Sequence, residues 1–147
     1  MVAVLDVVEH IEDDVAALAA MKSLLKPGGK ILIAVPAHQW MWSAHDVVNH
    51  HHRRYSKTTL AAAIERAGLV PKKLRWFNSL LFPAAVAARV AGKLTGRDDS
   101  DDSPPAKPLN WAFEKIFRLE RYLVGRVPMT PGVSIVTLAY PKDKVAK

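Results

Sequence analysis

The 147-residue sequence has no cysteine, which excludes a disulfide framework, a thiolate metal site and a cysteine nucleophile. Long apolar runs are also missing. The weakly charged stretch Trp76 to Ala88 is interrupted by Pro83 and falls short of the roughly 20 apolar residues that cross a bilayer. Neither Gly-x-Gly-x-x-Gly nor Gly-x-x-x-x-Gly-Lys-Ser/Thr occurs, so no loop of these types brings backbone against a phosphate. The first charges in the chain are acidic, unlike the basic opening of a signal peptide. A cytoplasmic protein is the expectation.

What is present suits a folded domain: 50% of residues are hydrophobic and 24% charged, enough apolar surface to bury a core. The net charge of +7 is unevenly spread. Asp6, Glu9, Glu12, Asp13 and Asp14 stand in the first 20 residues with no base, whereas the rest of the chain carries all 21 bases. A basic balance favours an anionic partner, but the aromatics do not alternate with bases as a nucleic-acid stacking platform requires. No nucleic-acid role is expected.

Val2 to Val8 is a β-branched run with almost no polar interruption, which predicts a strand buried on both faces, as in a parallel sheet. Glu12-Asp13-Asp14 suit the first turn of a helix, and Val15, Leu18, Ala19, Met21 and Leu25 continue its apolar face to Lys26-Pro27-Gly28-Gly29. Lys30 to Val35 is a second apolar strand closed by Pro36. Strand, helix and strand make a βαβ unit with a right-handed crossover. Residues 37–55 read as a long polar loop with room for one helical turn. Ser56 caps a helix over Lys57–Ala67, stopped by Gly68.

Residues 69–77 predict a strand weakened by Pro71, and residues 79–94 a helix. Residues 96–108 have the composition of a flexible linker within a single domain spanning 1–147. Leu109, Phe113, Ile116, Phe117, Leu123 and Val124 trace a helical stripe, with Glu114 and Arg118 paired at i,i+4. Ser134 to Tyr140 is a terminal strand. The Trp76–Ala88 segment and the basic amphipathic helix at 109–127 are expected to pack on the sheet, with peripheral contact at a membrane surface as the alternative.

In an open α/β sheet, ligands bind at the carboxyl ends of the strands. Here those ends are Asp6 to His10, rich in carboxylates, and Pro36 to Gln39, followed by Trp40. Together they form a candidate floor for a small polar ligand.

The segments Leu5-Asp6-Val7-Val8-Glu9-His10-Ile11, Leu24-Leu25-Lys26-Pro27-Gly28-Gly29-Lys30-Ile31-Leu32-Ile33 and Val35-Pro36-Ala37 resemble the middle of class I S-adenosylmethionine-dependent methyltransferases. Trp42-Ser43, Asp46 and His52-Arg53-Arg54-Tyr55-Ser56 are similar to one subgroup of that family. The resemblance implies a Rossmann-like α/β fold whose sheet has parallel strands and an antiparallel last strand. Only the later part of that fold is matched, from its fourth strand onward; the glycine-rich loop that cradles the cofactor and the acidic residue that holds its ribose have no counterpart. The expectation is therefore a partial fold, a fragment of the family's domain, with impaired binding of S-adenosylmethionine by this chain alone.

The resemblance implies further that Asp6, Val7, Glu9 and His10 line the methionine side of the cofactor, and that Pro36, Ala37 and His38 face the substrate. Methyl transfer is an in-line attack, so positioning supplies most of the catalysis. A base is needed only where the acceptor must lose a proton, and His10, His38, His45 and Asp46 are the candidates. Trp40 and Trp42 are candidates for shaping an acceptor pocket or for anchoring the loop. Arg53, Arg54 and Tyr55 either clamp an acidic substrate or pin the loop to the acidic helix start. His50-His51-His52 is not expected to hold a metal, because consecutive residues rarely point at one ion. The expected acceptor is a small molecule or a lipid-like compound; the alternative is a non-catalytic interaction module, a remnant with a basic surface.

Overall fold

The computed structural model describes residues 1–95, 107–123, 126 and 131–142. Strand β1 (Val2–Leu5) pairs in parallel with β2 (Ile31–Pro36), and helix α1 (Asp14–Ser23) makes the crossover between them. A short helix α2 (Ala44–Val48) lies in the following loop. Helix α3 (Lys57–Arg66) leads into β3 (Leu69–Pro71) and β4 (Arg75–Phe77). Helices α4 (Phe82–Thr95) and α5 (Lys107–Leu123) precede the last strand, β5 (Ser134–Pro141).

The five-stranded sheet runs β1-β2-β5-β3, with β4 also paired to β5. Strand β5 inserts antiparallel between β2 and the β3/β4 segment, so four strands share one direction and only the last opposes them. This is the Rossmann-like arrangement, with parallel strands and an antiparallel last strand, that the family resemblance implied.

Local chemistry sets the element ends. Asp13 caps α1 by accepting from the Ala16 amide at 2.9 Å. Gly28, at φ +77, supplies a left-handed residue in the turn before β2, and Gly68, at φ +74, ends α3. The Ser56 hydroxyl accepts from the Thr59 amide at the start of α3.

One side of the sheet carries the core. Val4, Ile31, Ile33, Val35, Ile135 and Ala139 pack against Leu18 of α1 and Leu60, Ala63 and Ile64 of α3. Along β5 the burial alternates, Ile135, Thr137 and Ala139 being buried and their neighbours partly exposed, the period-2 pattern of a strand covered mainly on one face. Truncating Ile64 or Leu60, both fully buried, removes about 2–5 kcal/mol of stability.

Three expectations are corrected. The first strand stops at Leu5, and Ala3 and Leu5 are exposed: only one face of β1 is covered, and alternate residues of the interior strands, Leu32, Val136 and Leu138, are likewise only partly buried. The single strand expected over 69–77 is two short strands separated by Lys72, Lys73 and Leu74; Lys72 donates its amide to Leu138 O at 2.8 Å, so the chain stays beside β5 at the start of the break. The linker expected over 96–108 falls largely on residues 96–106, outside the described residues, while Lys107 and Pro108 already belong to the first turn of α5, a position where proline costs no helical hydrogen bond.

Candidate functional site

Beyond Leu5 the chain turns sharply: Asp6 adopts φ 49 while its amide still donates to Ala34 O at 3.0 Å. A 3-10 turn over Val8–His10 follows and buries Val8 and Glu9 completely. At the neighbouring end of β2, Ala37 bridges Tyr55 and His38 takes φ 63. Aspartate and histidine tolerate this left-handed region better than most residues. Both strand ends thus break away from the sheet at the same level, opening the crevice expected of such sheets.

The loop over 37–55 is fastened over this crevice. Tyr55 donates its amide to Pro36 O at 2.9 Å and accepts the His38 amide at 2.9 Å, and His52 donates its amide to Glu9 O at 2.7 Å. The Tyr55 hydroxyl donates to Asp14 Oδ2 at 2.8 Å. Arg53 pairs with the same carboxylate at 3.1 Å and donates to Glu12 O at 2.6 Å. The acidic start of α1 therefore anchors the loop. Burial pushes the Tyr55 phenol well above its ordinary range, and the bond to Asp14 raises it further.

Between these anchors lies a cleft of about 410 Å³. Asp6, Glu9 and His10 line it from β1; Pro36 from β2; His45, Asn49, His51 and Arg54 from the loop; and Arg89 and Val133 from the far side. The polar centre is Asp46, which is fully buried. Its carboxylate accepts from Arg54 Nε at 2.8 Å and from the Ser43 amide at 2.9 Å, and His51 Nδ1 lies 2.8 Å from Oδ1. Burial alone would raise the Asp46 acid, but the hydrogen bonds from Arg54 and His51 and the Arg54 charge bring it below its ordinary value.

Glu9 is the opposite case. Both carboxylate oxygens are buried with no hydrogen-bond partner, although the residue faces the cleft. Burial drives its acid up to about 7; the Glu9 amide opposes this, Asp6 adds to it, and Arg54 opposes it. Burial also raises Asp6, against the pull of His51 and His10.

Val133 lines a second, apolar chamber of about 350 Å³, walled by Leu81, by Ala84, Ala85 and Ala88 of α4 and by Phe113 of α5. Glu120 of α5 holds this wall in place. It is buried, and its two oxygens accept the Ser79 and Leu80 amides at 3.0 and 3.3 Å, satisfying donors at the approach to α4. Phe117 meets Phe77 edge-on at 5.3 Å between centroids. A polar cleft and an apolar chamber thus adjoin at one residue.

The candidate residues divide accordingly. Asp6, Glu9, His10, Pro36, His45 and Arg54 converge on the cleft, and Asp46 stands behind it. Val7 is exposed, and Ala37 is buried against Tyr55. His38 lies in an aromatic group: it stacks on Trp76 at 4.9 Å, with Trp40 and Phe82 tilted beside it, and its Nε2 lies 3.1 Å from Gly132 O. Trp40 is half-exposed there, its carbonyl accepting from Lys93; Trp42 is partly buried. Arg53 and Tyr55 serve the loop anchor. His51, Asn49, Arg89 and Val133 did not emerge from the sequence as site residues. His51 alone had a signal, the histidine run, but its neighbours His50 and His52 do not line the cleft.

Half of the chain, residues 1–74, matches the family described as Methyltransferase domain. No curated protein matches the chain. The matched span contains both strand ends, the loop and every first-wall residue of the cleft except Arg89 and Val133. With the sheet order and the antiparallel last strand, this places the chain in the methyltransferase-domain family, as a class I S-adenosylmethionine-dependent methyltransferase-like domain.

Proposed function

We propose that this chain takes part in transfer of a methyl group from S-adenosylmethionine to a small-molecule or lipid-like acceptor. The observation that carries the reading is the junction at Val133 between a cleft walled by the unpartnered Glu9 carboxylate and an apolar chamber. A buried carboxylate with two unfilled acceptors suits a positively charged group, so these residues fit the cationic methionine end of the cofactor. When bound, the cofactor supplies a sulfonium methyl, which leaves to an attacking nucleophile of the acceptor.

The chain's own residues then have separable tasks. Glu9 and Asp6 hold positive charge at the end of β1. The buried Asp46–Arg54 pair fixes the loop that walls the cleft, while Arg53 and Tyr55 fasten that loop to α1. His10 and His45 line the cleft and are the groups placed to take a proton from an acceptor. Asp46 is not, since its oxygens are already engaged. Leu81, Ala85 and Phe113 exclude water from an apolar acceptor tail. Among the described residues no helix is long and apolar enough to cross a membrane.

The test follows tritiated methyl from S-adenosylmethionine into organic-extractable and aqueous products, with cell extract as acceptor source. Label in the organic phase, lowered severalfold by Ala85→Trp and by Glu9→Gln, supports the reading. Label confined to the aqueous phase and indifferent to Ala85→Trp removes the lipid-like acceptor; no transfer above the unproteinated control removes the activity.

A further inference from the structure

We propose that Glu9, His10 and His51 form a binding site for a divalent transition-metal cation, with Asp46 orienting His51 from behind. One ligand atom from each of the three residues lies within 4.8 Å of the others. Metal–ligand bonds of about 2.0–2.2 Å place neighbouring ligand atoms roughly 3–4 Å apart. The three side chains thus close on an ion by shifts of about 1 Å, and His10, exposed on its turn, has room to make them.

Two independent observations point to a ligand here. The first is Glu9: both oxygens are buried, unpartnered and directed to the cleft. Burying a carboxylate without a partner is costly, and a cation removes that cost. The second is His51. Its Nδ1 lies 2.8 Å from Asp46 Oδ1, and a carboxylate can only accept, so Nδ1 carries a proton and Nε2 is the nitrogen left to meet an ion in the neutral ring. A histidine that donates one ring nitrogen to a carboxylate and offers the other outward is the usual arrangement behind a metal-bound imidazole. Asp46 is itself locked by Arg54 and by the Ser43 amide, so the orientation of His51 is built into the loop.

Arg54 and Arg89 also line the cleft, and Arg54 is paired with Asp46. Asp6 adds a second carboxylate to the same cleft, and the His10 ring meets His51 edge-on at 4.5 Å. Two imidazole nitrogens and one carboxylate oxygen favour zinc, cobalt, iron or manganese over magnesium or calcium, which prefer all-oxygen sets. The run His50-His51-His52 contributes one ligand only. His50 sits at φ 54, and His52 is turned so that its amide meets Glu9 O. Glu9 and His10 also serve the methyl-transfer reading, so the ion and the cationic end of the cofactor are alternative occupants of this cleft, and the metal is titrated without S-adenosylmethionine.

The test is titration of the full chain with Co2+ alone, read by visible absorption, with Zn2+ displacing it and raising the thermal midpoint. The expected result is one saturable equivalent. Glu9→Gln, His10→Gln and His51→Gln each weaken it at least tenfold, and Asp46→Asn weakens it by about 10–100-fold. The double change His50→Gln with His52→Gln leaves affinity within about twofold. Glu9→Gln removes a buried unpartnered charge, so its metal-free thermal midpoint should equal or exceed that of the parent, which separates lost binding from lost folding. Loss in the His50/His52 double variant with retention in Glu9→Gln would overturn the site in favour of a surface histidine run. Retention in both His10→Gln and His51→Gln, with loss only in Glu9→Gln, would overturn it in favour of another cationic group. Absence of any cobalt band with folded protein would overturn it outright.

Discussion

Arg54 Nε lies 2.8 Å from Asp46 Oδ1, and both side chains are buried beneath the loop that walls the cleft. Removing one partner of such a pair leaves an uncompensated buried charge. Asp46→Asn should therefore cost about 3–5 kcal/mol, read from urea unfolding. A loss below about 1 kcal/mol would show that Arg54 finds another partner, and that the loop does not depend on this pair.

Tyr55 ties the same loop to α1 through a different bond. Its ring is nearly fully buried and its hydroxyl donates to Asp14 Oδ2. Tyr55→Phe keeps the packing and removes one charge-assisted bond, while Arg53 still pairs with Asp14. The expected cost is about 1–2 kcal/mol, and Tyr55→Ala should cost more because it also opens a cavity. Equal unfolding midpoints for Tyr55→Phe and the parent protein would remove the hydroxyl from the account.

These two contacts show where a sequence is legible and where it is not. The βαβ unit follows from β-branched runs, an acidic helix start and Lys26-Pro27-Gly28-Gly29, all local signals. The choice between clamping a substrate and anchoring the loop could not be made for Arg53-Arg54-Tyr55 from spacing, because Asp14 and Asp46 come near only through tertiary packing. His51 was hidden for a related reason. Its orientation depends on Asp46, five residues earlier and across the end of α2, and no helical or strand period relates the two. Glu120 had no signal either: its partners are backbone amides about forty residues upstream.

His38 gives a pH dependence. Burial lowers its pKa below the ordinary 6.5, the bond to Gly132 O opposes this, and Arg54 adds to the lowering. The unfolded chain therefore takes up the proton first as pH falls. The contribution is fully present above about 6.5 and is lost as pH drops through the folded value. His38→Asn suits the left-handed backbone at this position and removes the titration. Its thermal midpoint should fall less steeply than the parent's between about pH 7 and pH 5. Parallel slopes would contradict a neutral His38 in the fold.

Gly132 approaches β4 too closely for any side chain. A Cβ there would stand 2.3 Å from Phe77 O and 2.8 Å from Ser79 Oγ. Gly132→Ala must push backbone apart at the carbonyl that meets His38, and a loss of about 1–3 kcal/mol or more is expected, measured by chemical denaturation. A neutral effect would mean that β4 and the start of β5 are not held together as described.

The proposed methyl transfer requires that Asp6 and Glu9, at the end of β1, hold the cationic end of S-adenosylmethionine. The most direct measurement is titration of the isotopically labelled chain with S-adenosylmethionine, followed amide by amide by nuclear magnetic resonance. The account predicts saturable shifts at Asp6 to His10 and at Ala37 and His38, weakened by Glu9→Gln. Shifts confined to other surfaces, such as the groove at Lys72, Lys73 and Arg75, or no shifts at saturating cofactor, would contradict it.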